Sequence, residues 1–250
     1  MFVYLRLLNY LSRPDDPKAA KEKGLELAQL TGKTIIAVVA HPDDIDWYAG
    51  GTLDLLKKHG NRVIVVVATS GEKGGNGVPN LGEIREQEQL AAAKILGLDE
   101  IIFLKHPDRG LKDDEKFRAE LEDIFSKYSA EILFTFDIEK ESYIYHHPDH
   151  RAAGKAAIEV SKNSPTIKSI YLFHSKKPNI IFNVSQATED KAKALGAHLS
   201  QRDPKNRPIN FLFKLFPFRI VGSNQDFREV GVSQAEIFRN VENRNTSNFR

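Results

Sequence analysis

An α/β fold, Rossmann-like, with three layers and a mostly parallel sheet, is what the sequence predicts. Three observations carry that expectation. Short runs rich in Val and Ile alternate with longer amphipathic segments along the chain. The runs are apolar at consecutive positions, as strands covered on both faces are. The 250 residues, 41% of them hydrophobic, are enough to bury one full core.

Taken in order, Asp16-Pro17 reads as an N-cap followed by proline at the first helical position, with Gly32 as the stop. Thr34–Ala40 is a buried strand, followed by a helix from about Gly51 to His59 and a second strand over Arg62–Ala68. The glycine-rich loop Gly71–Gly77 leads to a helix over Glu83–Leu96 that Gly97 stops, then to a strand at Ile101–Leu104. Phe117, Leu121, Ile124 and Phe125 share one helical face. Glu131–Phe136 is a strand, Pro148 opens an alanine-rich helix, Ile167–Phe173 is a strand and Thr188–Ser200 a helix. From about Asp203 the alternation breaks. One domain over 1–250 is therefore expected, with its core at about 33–201, a helical segment at 1–32 and a small irregular C-terminal appendage at 203–250.

A net charge of +2, with both signs interspersed, gives no reason to expect a nucleic-acid partner. The chain has no cysteine, which excludes disulfides and thiolate metal sites, so any metal must sit on His, Asp or Glu. Met1–Ser12 lacks both a longer apolar stretch and a small-residue cleavage site, so it does not read as a signal peptide; a short helix packed on the domain is favoured over an interfacial anchor or the remnant of a longer N-terminal segment. The expected location is the cytoplasm, with association at a membrane surface as the alternative.

The tripeptide His-Pro-Asp occurs three times, at His41–Asp43, His106–Asp108 and His147–Asp149, each after a β-rich run. Two copies carry a further ligand type, His41-Pro-Asp-Asp44 and His147-Pro-Asp-His150. In a parallel sheet, ligands bind beyond the carboxyl ends of the strands, where these motifs fall. His41 and Asp44 share a tight turn. With His147 as N-cap and Pro148 at N1, His150 stands at N3 and faces the same edge. His41, Asp44 and His150 thus supply three ligands and leave one position open, as a catalytic zinc ion requires. Asp43, beside the metal, is placed to take a proton from metal-activated water. His147 is placed to protonate a leaving group or to stabilise an oxyanion, and Tyr145 to polarise a carbonyl.

These motifs resemble those of the LmbE/PIG-L-like zinc-dependent N-deacetylases. The residues that carry the likeness are Ala40–Asp44, Gly50-Gly-Thr-Leu53, Thr69–Gly75, Arg85-Glu-Gln-Glu88, Leu96-Gly97, Pro107-Asp108, His147–Gly154 and Ala197-His-Leu-Ser-Gln201. They cover most of Thr34 to about Gln201. The resemblance implies zinc on His41, Asp44 and His150, Asp43 as general base, and His147 as acid or electrostatic stabiliser. It further implies that Tyr145 assists the carbonyl and that Arg85 and Asp108 line a sugar site. The chain departs from the family at Ile45, where a glutamate is usual, with Asp46 next. A hydrogen bond around the metal is thereby lost or moved to Asp46.

The remaining features are assigned more modestly. The loop Gly71–Gly77 lacks both the P-loop and the dinucleotide spacing, and reads as a rim loop with Glu72 near substrate. His106 is expected to be exposed at a turn. His198 is expected to be buried in a helix beside Leu195 and Leu199. The run Phe211-Leu-Phe-Lys-Leu-Phe-Pro-Phe218 reads first as core packing or a homo-oligomer interface. A sharper reading is a rim that touches a membrane or a lipid-linked sugar. The expected function is zinc-dependent removal of the N-acetyl group from an amino sugar or an N-acetylglucosamine-containing conjugate. Competing readings are hydrolysis of another amide or ester at the same metal, and a catalytically impaired, metal-containing sugar-binding protein.

Overall fold

A computed structural model describes residues 12–75, 77–139, 147–202 and 224–242. Helix α1 (Pro17–Ala28) starts as its sequence dictates, with Asp16 accepting from the backbone N–H groups of Lys18 and Ala19 at 3.0 and 3.1 Å. Strand β1 (Thr34–Val39) leads through a short helix α2 (Asp44–Tyr48) into α3 (Gly50–Lys58) and β2 (Arg62–Thr69). Then come α4 (Leu81–Ile95), β3 (Glu100–His106), α5 (Glu115–Tyr128), β4 (Ile132–Phe136) and α6 (Pro148–Asn163). The chain continues with β5 (Ser169–Phe173), β6 (Ile180–Asn183), α7 (Thr188–Ala197), a single turn α8 (Leu199–Arg202), β7 (Gln225–Phe227) and β8 (Val232–Glu242).

The strands form one sheet in the order β3-β2-β1-β4-β5-β8-β6, with β7 paired to β8. β3 through β5 are mutually parallel, and β8 runs antiparallel to β5, β6 and β7. Ile35 to Val39 and Val63 to Thr69 are all buried. Successive side chains point to opposite faces, so burial at every position means that both faces are covered. This is the expected Rossmann-like α/β architecture. The amphipathic helix is also where its pattern puts it: Phe117, Leu121, Ile124 and Phe125 of α5 are all in the core.

The stretch beyond the core is not set apart from the sheet in its described part. Residues 224–242 supply β7 and β8, and β8 sits between β5 and β6. Glu236 of β8, wholly buried, accepts from the N–H groups of Gly51 and Thr52 at 2.9 and 2.8 Å at the start of α3. The equally buried Lys191 of α7 pairs with it at 2.5 Å and also donates to Asn224 Oδ1 at 2.7 Å. Desolvation lowers the Lys191 ammonium despite that pairing. β6 and β8 were not foreseen, because each is short or carries polar residues at half its positions.

The chain winds from β1 outward to β2 and β3, then returns to β4 on the other side of β1. The carboxyl ends of β1 and β4 therefore flank the point where the winding reverses, the crevice in which open α/β sheets bind ligands. His41 follows β1 and His147 follows β4. Among the described residues, no helix is long and apolar enough to cross a membrane. Met1–Leu11, Tyr145, His146 and the Phe211–Phe218 run lie outside the described residues.

Candidate active site

Helix α6 begins as its sequence predicts, with His147 as N-cap, Pro148 at the first helical position and His150 one turn in. Gly154 brings this helix close to the end of β4. A Cβ there would lie 2.7 Å from the Phe136 carbonyl oxygen. The close approach stacks the His150 ring on Phe136 at 4.0 Å between centroids. It also points His150 toward the turn after β1.

Three histidines and three aspartates meet there. The ring centroids of His41, His147 and His150 lie 4.6 to 5.2 Å apart. Asp44 stands between two of the rings, its Oδ2 3.3 Å from His41 Nδ1 and its Oδ1 3.2 Å from His150 Nε2. On the far nitrogen of His41, Nε2, Asp108 and Asp149 each place an oxygen at 3.3 Å. His41, Asp44, Asp108, Asp149 and His150 are all less than a tenth exposed.

Such a gathering of carboxylates is costly in a buried place unless a cation compensates it. In the structure the imidazolium of His41 does so. Burial alone would lower it, but Asp108, Asp149 and Asp44 outweigh burial and hold it up at about 11. The two imidazoles beside Asp44 likewise outweigh its burial and hold it well below the usual carboxylate range. One ligand atom each from His41, His147 and His150, or from His41, Asp108, His147 and Asp149, falls within 4.8 Å of the others. Nitrogen and oxygen donors without sulfur, already arranged around one positive charge, fit a divalent metal ion.

Asp43 occupies the rim of this cluster at φ 93, in the left-handed half of backbone space. Arg85 of α4 holds it, with Nη2 3.3 Å from Asp43 Oδ1. The guanidinium also donates to the carbonyls of Pro42 at 2.6 Å and Gly71 at 2.9 Å. Gly71, at φ 64, has the guanidinium against the place a Cβ would fill. Desolvation raises the Asp43 carboxyl, against the pull of Arg85. His147 is half-buried, and burial followed by the charges of His41 and His150 pushes it down.

Arg85 and Glu72, expected at the substrate, hold backbone. Arg85 is 2% exposed and reaches the site through Asp43. Glu72 Oε1 accepts from the Asp108 N–H at 2.9 Å, while Asp108 Oδ2 accepts from Lys73 N–H at 2.8 Å, so the two loops clasp each other. His106 is not exposed at a turn. It ends β3 half-buried, with Nε2 2.6 Å from Glu120 of α5. His198 is buried as expected, but at the break between α7 and α8 rather than within a helix.

Two residues went unassigned in the sequence. Asp149, 1% exposed, accepts from the Arg109 and Leu111 N–H groups at 2.6 and 3.3 Å and so ties the loop after β3 to the histidine–aspartate cluster. Its position inside His147-Pro-Asp-His150 was the available signal. Gln89 accepts from the Asp43 N–H at 2.9 Å and donates to Asp46 at 2.9 Å. Asp46 also lies 2.9 Å from His198 Nε2, so a carboxylate is present one position beyond the family's glutamate, while Ile45 packs in the core. Asp46 more than offsets burial at His198 and holds that imidazole above its ordinary value.

The chain is similar to known deacetylases. A Bacillus cereus probable N-acetyl-alpha-D-glucosaminyl L-malate deacetylase 2 is 29% identical over 190 residues, which is 68% of this chain and 84% of the relative. A Schizosaccharomyces pombe probable N-acetylglucosaminyl-phosphatidylinositol de-N-acetylase is 29% identical over 65% of this chain and 63% of the relative. The crystal structure of N,N'-diacetylchitobiose deacetylase from Pyrococcus horikoshii, complexed with an inhibitor, superposes with a TM-score of 0.72 at 28% identity, covering 84% of each chain. The profile of the PIG-L family, described as GlcNAc-PI de-N-acetylase, matches residues 36–161, and the chain belongs to that family.

Proposed function

We propose that this chain is a metal-dependent N-deacetylase that hydrolyses the acetamide of an N-acetylated amino sugar or a conjugate of one, with zinc as its resident ion. The observation that carries the reading is a buried histidine–aspartate cluster with a carboxylate, Asp43, held by Arg85 at its edge. His41, Asp44 and His150 are the assigned ligands. A divalent ion there supplies Lewis-acid polarisation of water and of the amide carbonyl.

The chain's own groups do the rest. Asp43, its carboxyl raised by desolvation, takes a proton from the attacking water and afterwards delivers it to the departing amine. Burial, followed by the charges of His41 and His150, lowers the His147 imidazole, and it is assigned the neutral form. Its Nδ1 accepts from the Asp149 N–H at 3.2 Å, so the proton of the neutral ring sits on Nε2. That leaves an N–H to donate to the developing oxyanion. Of the two roles expected for His147, acid or electrostatic stabiliser, the second is the one assigned here, with Asp43 carrying the proton to the amine. Tyr145 is assigned a second hydrogen bond to the same carbonyl. Asp108 is assigned a sugar hydroxyl, and Arg85 and Glu72 shape the pocket.

The test is acetate release from N-acetylglucosamine, diacetylchitobiose, N-acetylglucosaminyl malate and N-acetylglucosaminyl phosphatidylinositol, with and without a chelator. Release that chelation abolishes is expected. Metal uptake without release from any of the four would overturn the proposal. Asp43→Asn is expected to keep its metal and lose on the order of 10²- to 10⁴-fold in kcat.

A further inference from the structure

We propose that Gln89 is the positioning residue of the base, its amide held the right way round by Asp46, which His198 in turn braces. This rests on Asp43 being the base. Asp43 sits at φ 93, a conformation that L-residues avoid, so something must hold it there. Its backbone N–H donates to Gln89 Oε1 at 2.9 Å. An amide offers either an oxygen or an NH2 at that place, and the reversed orientation would set two donors against each other. Asp46 Oδ2 accepts from Gln89 Nε2 at 2.9 Å and thereby selects the orientation that serves Asp43.

Gln89, Asp46 and His198 are 0%, 0% and 2% exposed, so their hydrogen bonds to one another are made away from bulk solvent. His198 Nε2 reaches the same Asp46 oxygen at 2.9 Å. Ser200 fixes the segment that carries His198, because its N–H and hydroxyl donate to Glu88, the neighbour of Gln89, at 2.6 and 2.7 Å. Arg85, one turn before Gln89, holds the carboxylate of the same aspartate. Two consecutive turns of α4 thus grip the backbone and the side chain of one residue.

The experiment uses the full chain loaded with its metal and compares Gln89→Leu, Gln89→Met, Asp46→Leu and Asp46→Asn. It reads metal content, kcat, KM and hydrogen exchange at the Asp43 amide. The Leu and Met variants are expected to retain metal and lose on the order of 10- to 100-fold in kcat with little change in KM. Exchange at Asp43 is expected to quicken by at least about tenfold in them. Asp46→Asn still offers Gln89 an oxygen and is expected to restore most activity. Unchanged kcat and unchanged Asp43 protection in the folded Gln89 variants would overturn the proposal. So would an Asp46→Asn protein as impaired as Asp46→Leu, which would make the charge on Asp46, not the amide's orientation, the important term. If the parent chain releases no acetate from any substrate, the deacetylase reading fails on its own. Asp43 exchange then decides this proposal, with unchanged protection refuting it.

Discussion

Glu236 and Lys191 make an ion pair with unequal fallback partners, and the inequality can be measured. In Glu236→Leu the Lys191 ammonium stays wholly buried with Asn224 Oδ1 as its remaining hydrogen-bond acceptor among the described residues, and the Gly51 and Thr52 N–H groups lose their acceptor. Stranding one member of a buried pair costs about 3–5 kcal/mol, and the orphaned amides add about 1 kcal/mol, so a loss of about 4–6 kcal/mol is expected. In Lys191→Met the carboxylate keeps both backbone donors at the start of α3, where the helix dipole also favours a negative charge. That loss should be about 1–3 kcal/mol. Urea unfolding followed by circular dichroism measures both, together with the double variant. The double variant should be more stable than Glu236→Leu alone, because it removes the stranded charge. A Glu236→Leu loss below about 1.5 kcal/mol, or a Lys191→Met loss larger than that of Glu236→Leu, would refute the reasoning.

Two further outcomes follow from packing and titration. Gly154→Ala drives a methyl group against the Phe136 carbonyl, and is expected to cost about 1–3 kcal/mol and to weaken metal binding by displacing His150, as denaturation and metal titration would show. Burial raises the Tyr171 hydroxyl to about 12 in the folded chain. An unfolded tyrosine ionises near 10, so the unfolded state loses its proton first and stability falls as pH rises from about 10 to 12. In Tyr171→Phe, unfolding measured across that range should lose this component of the slope.

What the sequence disclosed of the site was the part written locally. His41 and Asp44 share one turn, and His147 and His150 one helix start, so tripeptide spacing and an N-cap argument were enough to bring them together. Asp149 lies in the same motif, but its partners, Arg109 and Leu111, come from a loop that only the packed sheet delivers. Gln89 looks like any polar residue of an amphipathic helix until Asp43 is folded against it. Leu195 and Leu199 suit a continuous helix through His198. The chain breaks there instead, at ψ 64, and Leu199 is 67% exposed. For the fold, both-face burial announced β1, β2 and β4. β8 pairs antiparallel with strands on both sides and carries Glu236 inward as a helix partner, a pattern that no simple alternation encodes.

The location of the cluster decides the order of folding and metal uptake. His41 and Asp149 are 108 residues apart in sequence, yet His41 follows β1 and Asp149 opens the helix after β4, and those two strands are hydrogen-bonded neighbours. The ion therefore closes no loop that the sheet has not closed first, unlike a zinc finger, where metal and fold arrive together. The protein should fold as the metal-free form and load afterwards, with its affinity reporting the integrity of the sheet rather than creating it. Chelation should leave the far-ultraviolet circular dichroism unchanged and lower the melting temperature only by the mass-action share of binding. Collapse of the spectrum on chelation would show that the ion, and not the β1–β4 pairing, holds the two halves of the chain together.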